Sequence, residues 1–106
     1  FKNNKKVEIK SPLLSNDYIY VDDIVNVIIK ATKIKFKSGV YNLGSGKYTK
    51  TVDIVKQIEK EKKSKLNLIY GNKNKKNIFF ANMQKTMKTF QYYNFTDIKE
   101  GIKKTL

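Results

Sequence analysis

The sequence predicts an α/β fold of about four short strands and four helices, and three observations predict it. Short runs with strand character recur along the 106 residues, rich in β-branched and aromatic side chains or alternating apolar with polar. Between them lie longer runs in which apolar residues return at helical spacing. The two kinds interleave instead of grouping, which is the order that places helices against a sheet.

Taken in order, VEIK (7–10) alternates apolar and polar as a short strand does, and YIYV (18–21) suits a more fully buried one. Asp22 and Asp23 then stand where a helix N-cap and first turn belong, accepting from free amides and complementing the positive end of the helix dipole. Ile24, Val25, Val27, Ile28, Ile29 and Ala31 make the following helix apolar around much of its circumference, so it is expected to lie buried between layers. GVYNLGSG (39–46) reads as a strand that ends in a glycine-punctuated loop, after which Thr49 or Thr51 caps a helix with Val52, Val55 and Ile58 on one face. KLNLIYG (65–71) alternates Leu66, Leu68 and Tyr70 as a strand closed by Gly71, and the polar run NKNKKN (72–77) is a loop. Asn82 is placed to cap a helix that buries Met83, Met87 and Phe90. A last helix opens at Thr96 or Asp97, with Asp97 and Glu100 at capping-box spacing and Ile98, Ile102 and Leu106 facing inward. No internal repeat or low-complexity linker interrupts the chain, so residues 1–106 are expected to form a single unit.

Composition narrows the chemistry. The formal charge is +14, and all 23 basic residues are lysine, with no arginine. Lysines that neutralise phosphates drive non-specific polyanion binding, but the arginine fork preferred for base edges and phosphates is absent, and the lysines are spread over the whole chain. Most are therefore expected to be a solvated surface, and a small basic nucleic-acid-binding module is the second reading. With no cysteine there is no disulfide framework or thiolate metal site, and with no histidine the commonest general base and metal ligand are missing. The N-terminus FKNNKK lacks the apolar region of a secretory signal, and no apolar stretch is long enough to span a bilayer, so a cytosolic domain is the simplest fit.

The remaining motifs have plain readings. GSG (44–46) lacks the spacing of a dinucleotide or P-loop fingerprint and is expected to be a turn. Asp22 and Asp23, adjacent on a helix, do not face each other as an acid/base pair would. Tyr18, Tyr20, Tyr41, Tyr92 and Tyr93 are expected in packing roles more than as a base-stacking platform. The residues by themselves describe a binding or structural module with no catalytic or metal-binding set of its own.

Three segments together carry a more specific signal: DYIYVDDIVNVIIKAT, then SGVYNLGSGKYTKTVDIVKQIEKE, then ANMQKTMKTFQYYNFTDIKEGIKKTL. In this order they resemble the C-terminal third of extended short-chain dehydrogenase/reductases, the NAD(P)-dependent nucleotide-sugar epimerases and dehydratases, over nearly the whole chain. The resemblance implies a small C-terminal substrate-binding subdomain that lacks the Rossmann half. It also implies that the glycine fingerprint, the NAD(P) site and the catalytic Tyr-x-x-x-Lys pair belong to that missing half, because no tyrosine here is followed by lysine four residues on. The chain is then a fragment, inactive alone, holding no cofactor itself. Its expected partners are a nucleotide sugar, the missing half and a second copy in a homodimer. Family members commonly place an arginine for the substrate diphosphate just before the D-[FY]-x-[YH]-V run, where Asn16 stands here. They place a second in the region of NKNKKN, where Lys73, Lys75 or Lys76 could supply the charge as a point cation without the fork.

Overall fold

The computed structural model describes residues 5–106, so the first four residues of the basic opening lie outside the described part. The described residues form four strands and four helices: β1 (Lys6–Ile9), β2 (Ser15–Asn16), α1 (Val21–Lys33), β3 (Thr49–Lys50), α2 (Thr51–Lys62), β4 (Asn67–Tyr70), α3 (Gln84–Phe90) and α4 (Ile98–Thr105). The α/β class is as expected, but the strands form two separate ladders. β1 pairs in parallel with β4, Lys6 opposite Asn67 through Ile9 opposite Tyr70, and β2 pairs antiparallel with β3. Gly71 ends β4 against the backbone of Lys10, where an added Cβ would stand 2.5 Å from the Lys10 carbonyl oxygen. A side chain cannot fit there without moving the main chain.

Several elements differ from the sequence expectation for identifiable reasons. YIYV is not a buried strand: Tyr18–Tyr20 carries no ladder, Tyr18 and Val21 are exposed, and the paired residues are Ser15 and Asn16 instead. Neighbouring loop amides at this point go to the Asp17 side chain rather than to a strand backbone. GVYNLGSG likewise has no ladder among the described residues. The helix caps also shift. α1 opens at Val21 with Tyr20 in the cap position and no side-chain cap, so Asp22 and Asp23 both belong to the first turn. α2 has Lys50 in that position, and Thr51 instead turns its hydroxyl to the Leu14 carbonyl at 3.2 Å. Asn82 accepts from the Gln84 amide at 3.1 Å just ahead of α3, and Asp97 caps α4 through the Lys99 amide at 3.0 Å. The reciprocal half of the capping box is absent, because Glu100 pairs with Lys104 at 2.9 Å.

α1 departs furthest from expectation. Val27 and Asp23 are buried, but Val21, Val25, Ile28 and Ile29 are 59%, 45%, 54% and 43% exposed, so one apolar face meets solvent instead of a second layer. α4 is similar on a smaller scale: Gly101 is buried against the Tyr20 ring, Ile98 and Ile102 are half-buried, and Leu106 is exposed. Among the described residues the buried apolar core is correspondingly small, with Ile9, Val27, Val52, Met83 and Phe90, and Pro12 is buried as well. The molecule is drawn out to 52 × 29 × 16 Å with a radius of gyration of 16.6 Å, where a compact domain of this length has about 13 Å.

Polar ties compensate for the thin core. Asp23, 3% exposed, accepts from the Tyr92 hydroxyl at 2.7 Å, the Thr96 amide at 2.8 Å and the Thr96 hydroxyl at 3.2 Å. It thereby fixes the segment between α3 and α4 to the start of α1. Burial and the nearby Asp23 push the Tyr92 hydroxyl above the usual tyrosine range, outweighing the Asn26 contact, so it stays a neutral donor. An asparagine at position 23 would turn its NH₂ toward one of these donors. Asp23→Asn is expected to lower unfolding stability by about 1–3 kcal/mol, the usual loss when a buried donor is left without an acceptor. Urea denaturation followed by circular dichroism measures this, and an unchanged midpoint would contradict the role given to Asp23.

Candidate functional site

The candidate site is built where three segments converge on Asp17. Its Oδ1 accepts from the Ser45 amide at 2.7 Å and the Ser45 hydroxyl at 2.6 Å, and its Oδ2 from the amides of Gly46 at 3.0 Å and Ala81 at 3.1 Å. Gly44 completes the junction because a Cβ there would stand 2.6 Å from Asp17 Oδ2 and 2.9 Å from the Ala81 Cβ. The Gly44 amide points to the Met83 sulfur at 3.2 Å. All three amides of the GSG turn thus have acceptors within the chain, and none is free to cradle a phosphate. This agrees with its reading as a turn.

One residue to either side of this junction stand the residues that face solvent. Ser15 donates its amide to the Asn77 carbonyl and accepts from the Phe79 amide, both at 3.0 Å, so the exit of the 72–77 loop runs alongside Ser15 and Asn16. Asn16, Asp17, Ile78, Phe79, Phe80 and Ala81 line a shallow concavity. Ile78, Phe79 and Phe80 are all exposed, and the Phe80 ring lies 5.6 Å from that of Tyr48. Both carboxylate oxygens of Asp17 are engaged, while the Asn16 amide has no side-chain partner among the described residues.

Of the four site residues expected from sequence, the structure brings together Asn16 and the loop end that carries Lys76, one residue before Asn77. Lys73 stands at the opposite end of the loop, its ammonium 5.6 Å from the Tyr70 ring, and the exposed Lys75 lies between them. An Asx turn, the Asn74 amide donating to the Asn72 side chain at 2.9 Å, starts the loop. Sequence reasoning missed Asp17 and the Ile78–Phe80 wall. The one signal available was the position of Asp17 directly after Asn16 and the small-residue turn GSG, whose amides need an acceptor.

Burial pushes the Asp17 carboxyl up, but hydrogen bonds from the Ser45 side chain and the Ser45, Ala81 and Gly46 amides outweigh it and hold the group below its ordinary value. A depressed folded-state pKa contributes stability that is present above the unfolded value, about 3.9, and is lost as pH falls through the folded one. The Ser45, Gly46 and Ala81 amide resonances are therefore expected to move together only below about pH 4. Asp17→Asn should abolish that common transition, and a transition at or above the ordinary aspartate value would contradict the assignment.

No protein-family model matches the chain. It is 32% identical over 72 residues to the CDP-abequose synthase of Salmonella muenchen, covering 66% of this chain and 25% of the relative. Among solved structures it superimposes on the UDP-glucuronic acid 4-epimerase of Bacillus cereus, a complex with NAD, with a TM-score of 0.80 at 20% identity, over 94% of this chain and 32% of that one. It also superimposes on RMD of Pseudomonas aeruginosa, a complex with NADPH, with a TM-score of 0.80 at 14% identity, over 92% of this chain and 33% of that one. The chain thus spans about a quarter of the curated relative and a third of the structural ones. In sequence pattern and fold it corresponds to the C-terminal part of an extended short-chain dehydrogenase/reductase, the group of NAD-dependent nucleotide-sugar epimerases and dehydratases.

Proposed function

We propose that residues 1–106 form the substrate-binding unit of an NAD(P)-dependent nucleotide-sugar epimerase or dehydratase, inactive without the Rossmann half. The observation that carries this reading is the concavity beside Asn16. It is lined by the Asn16 amide, without a side-chain partner among the described residues, and an apolar wall of Ile78, Phe79 and Phe80, and it lies beside the exit of the lysine loop, where Asn77 is bonded to Ser15. An amide and ammonium groups suit a diphosphate, and an exposed aromatic wall suits the flat face of a base or sugar ring.

In this reading Asn16 and Lys76 bind the diphosphate, Lys75 and Lys73 add charge further along the loop, and Asp17 orients the pieces without touching the ligand. Lysine contributes a mobile point charge where arginine would give a bidentate fork, so the contact orients the diphosphate less strictly and responds more to salt. When bound in the Rossmann half, NAD(P) supplies the hydride chemistry. The present residues do not fit that group, since the amides of the one glycine-rich turn are taken by Asp17 and Met83. Their work is to hold the nucleotide sugar in place for it. By reaction class the whole protein would be an isomerase or lyase, cytoplasmic and homodimeric. Among the described residues no helix is long and apolar enough to cross a membrane. The nucleic-acid reading gains no convergent face, because exposed lysines stand on α1, α2, α3, α4 and the 72–77 loop alike.

In the complete enzyme, changing Lys73, Lys75 and Lys76 together to alanine is expected to weaken nucleotide-sugar binding by about 1–3 kcal/mol, the range for lost charged hydrogen bonds, and to leave NAD(P) affinity unchanged. Isothermal calorimetry at two salt concentrations measures both. Unchanged sugar-nucleotide affinity would remove the loop from the site, and loss of a salt-dependent affinity for single-stranded DNA instead would favour the nucleic-acid reading.

A further inference from the structure

Lysine occurs on every helix, but on α2 and α4 it is also grouped. These helices pack side by side, and Lys60 of α2 lines a concavity together with Lys99, Lys103 and Lys104 of α4. The same Lys60 lines a second concavity with Lys56, Lys63 and Lys65. A basic face thus extends across both helices and is continuous at Lys60, with every one of these lysines exposed.

The carboxylates of this face do not neutralise it. Glu59 is buried, accepts from the Leu66 amide at 2.7 Å and lies 3.5 Å from the Lys65 ammonium. Glu100 pairs with Lys104 at 2.9 Å, and Glu61 accepts from the Gln57 side chain at 2.8 Å. Among the described residues Lys56, Lys60, Lys63, Lys99 and Lys103 have no carboxylate within ion-pair distance. The helix dipole accounts for lysines in a last turn, which covers Lys60 and Lys103. It does not account for Lys56 in the middle of α2, and Lys99 stands in the first turn of α4, where a cation opposes the positive end of the dipole. The charge of Lys99 is unfavourable to the helix that carries it, and an anion from outside the chain would relieve this.

The make-up of the face selects its partner. Single-stranded nucleic acid is held by aromatic side chains on which bases stack, and neither concavity has an aromatic lining residue. A protein interface is built around buried apolar and aromatic anchors and is poor in lysine, and neither concavity has an apolar lining residue. Hydrated charge spread over a pair of helices suits a plane of phosphate headgroups. Lysine suits it too, because a point charge on a flexible stem meets phosphates at any spacing, where the arginine fork selects a fixed pair of oxygens. We propose that the α2/α4 face is a docking surface for an anionic lipid bilayer. Headgroups seat in the concavities, and the lysines around them reach the phosphates.

Vesicle sedimentation of the complete protein encoded by the gene tests this. Binding is expected to vesicles containing about a third phosphatidylglycerol and not to pure phosphatidylcholine, and it should be lost at about 0.5 M salt, where screening acts within a few ångströms. The combined variant Lys60→Gln, Lys63→Gln, Lys99→Gln and Lys103→Gln should bind anionic vesicles at least about 10-fold more weakly. A charge-matched variant elsewhere, Lys33→Gln, Lys35→Gln, Lys37→Gln and Lys88→Gln, should change binding by less than about 3-fold. Equal losses in the two variants would overturn the proposal by reducing the effect to net charge, as would absent binding to anionic vesicles or equal binding to neutral ones. Acetylation of lysines by a water-soluble ester, read by mass spectrometry, locates the contact. Anionic vesicles should slow it at Lys56, Lys60, Lys99 and Lys103, and inorganic phosphate at the same phosphate concentration should not. Equal slowing by phosphate would overturn the proposal in favour of a simple anion site. Slowing by duplex DNA or polyglutamate but not by vesicles would overturn it in favour of another polyanion, and slowing that grows with protein concentration alone would do so in favour of a second copy.

Discussion

The Asp17 carboxylate holds together what the sheet does not. Its four hydrogen bonds join the start of the chain, the glycine turn after residue 43 and the segment entering α3, and these three pieces share no continuous ladder. A neutral side chain of the same shape cannot accept from three amides and a hydroxyl at once, so the arrangement requires an ionised carboxylate. Asp23 does the same work 6 residues later in sequence, tying the region around Tyr92 and Thr96 to the first turn of α1. With so few buried apolar residues among the described ones, such charge-assisted bonds determine the position of the loops.

This explains why two acidic residues sit close together in so basic a chain. Neither acts as a helix cap in the ordinary sense; Asp23 is buried, Asp17 is half-buried, and the carboxylate oxygens of both accept from donors of the chain itself. They are acceptors for backbone groups that, in a fold with a complete sheet, would be expected to find strand partners. The half-buried Asn16 can then stand beside the Ile78–Phe80 wall and the exit of the lysine loop, although these lie more than 50 residues further along the chain.

Much of the fold was legible in the sequence. Periodicity located the four helices to within a few residues, and the alternation in VEIK and KLNLIY found the two strands of the parallel ladder. The errors have a common physical origin. YIYV and GVYNL have the β-branched and aromatic composition of buried strands, and the apolar circumference of α1 is that of a buried helix, yet all three stand open here. Composition reports the surroundings a segment is suited to, and these segments are suited to neighbours that the 106 residues do not supply. Asn16 and the Lys73–Lys76 loop were singled out through their positions relative to the DYIYV and ANMQK motifs. Asp17 was missed because its partners are backbone amides, which leave no trace in side-chain patterns. The lysine charge, conspicuous in composition, said least about the site.

The account stands or falls on whether the concavity beside Asn16 receives a nucleoside diphosphate. Titrating the ¹⁵N-labelled chain with uridine diphosphate, and following every backbone amide, addresses this directly. The account predicts shifts concentrated at Asn16, Ile78, Phe79, Phe80 and Lys73 to Lys76, smaller at higher salt, with α2 and α4 unmoved. Shifts centred on the lysines of α2 and α4, or spread evenly over all exposed lysines, would contradict it.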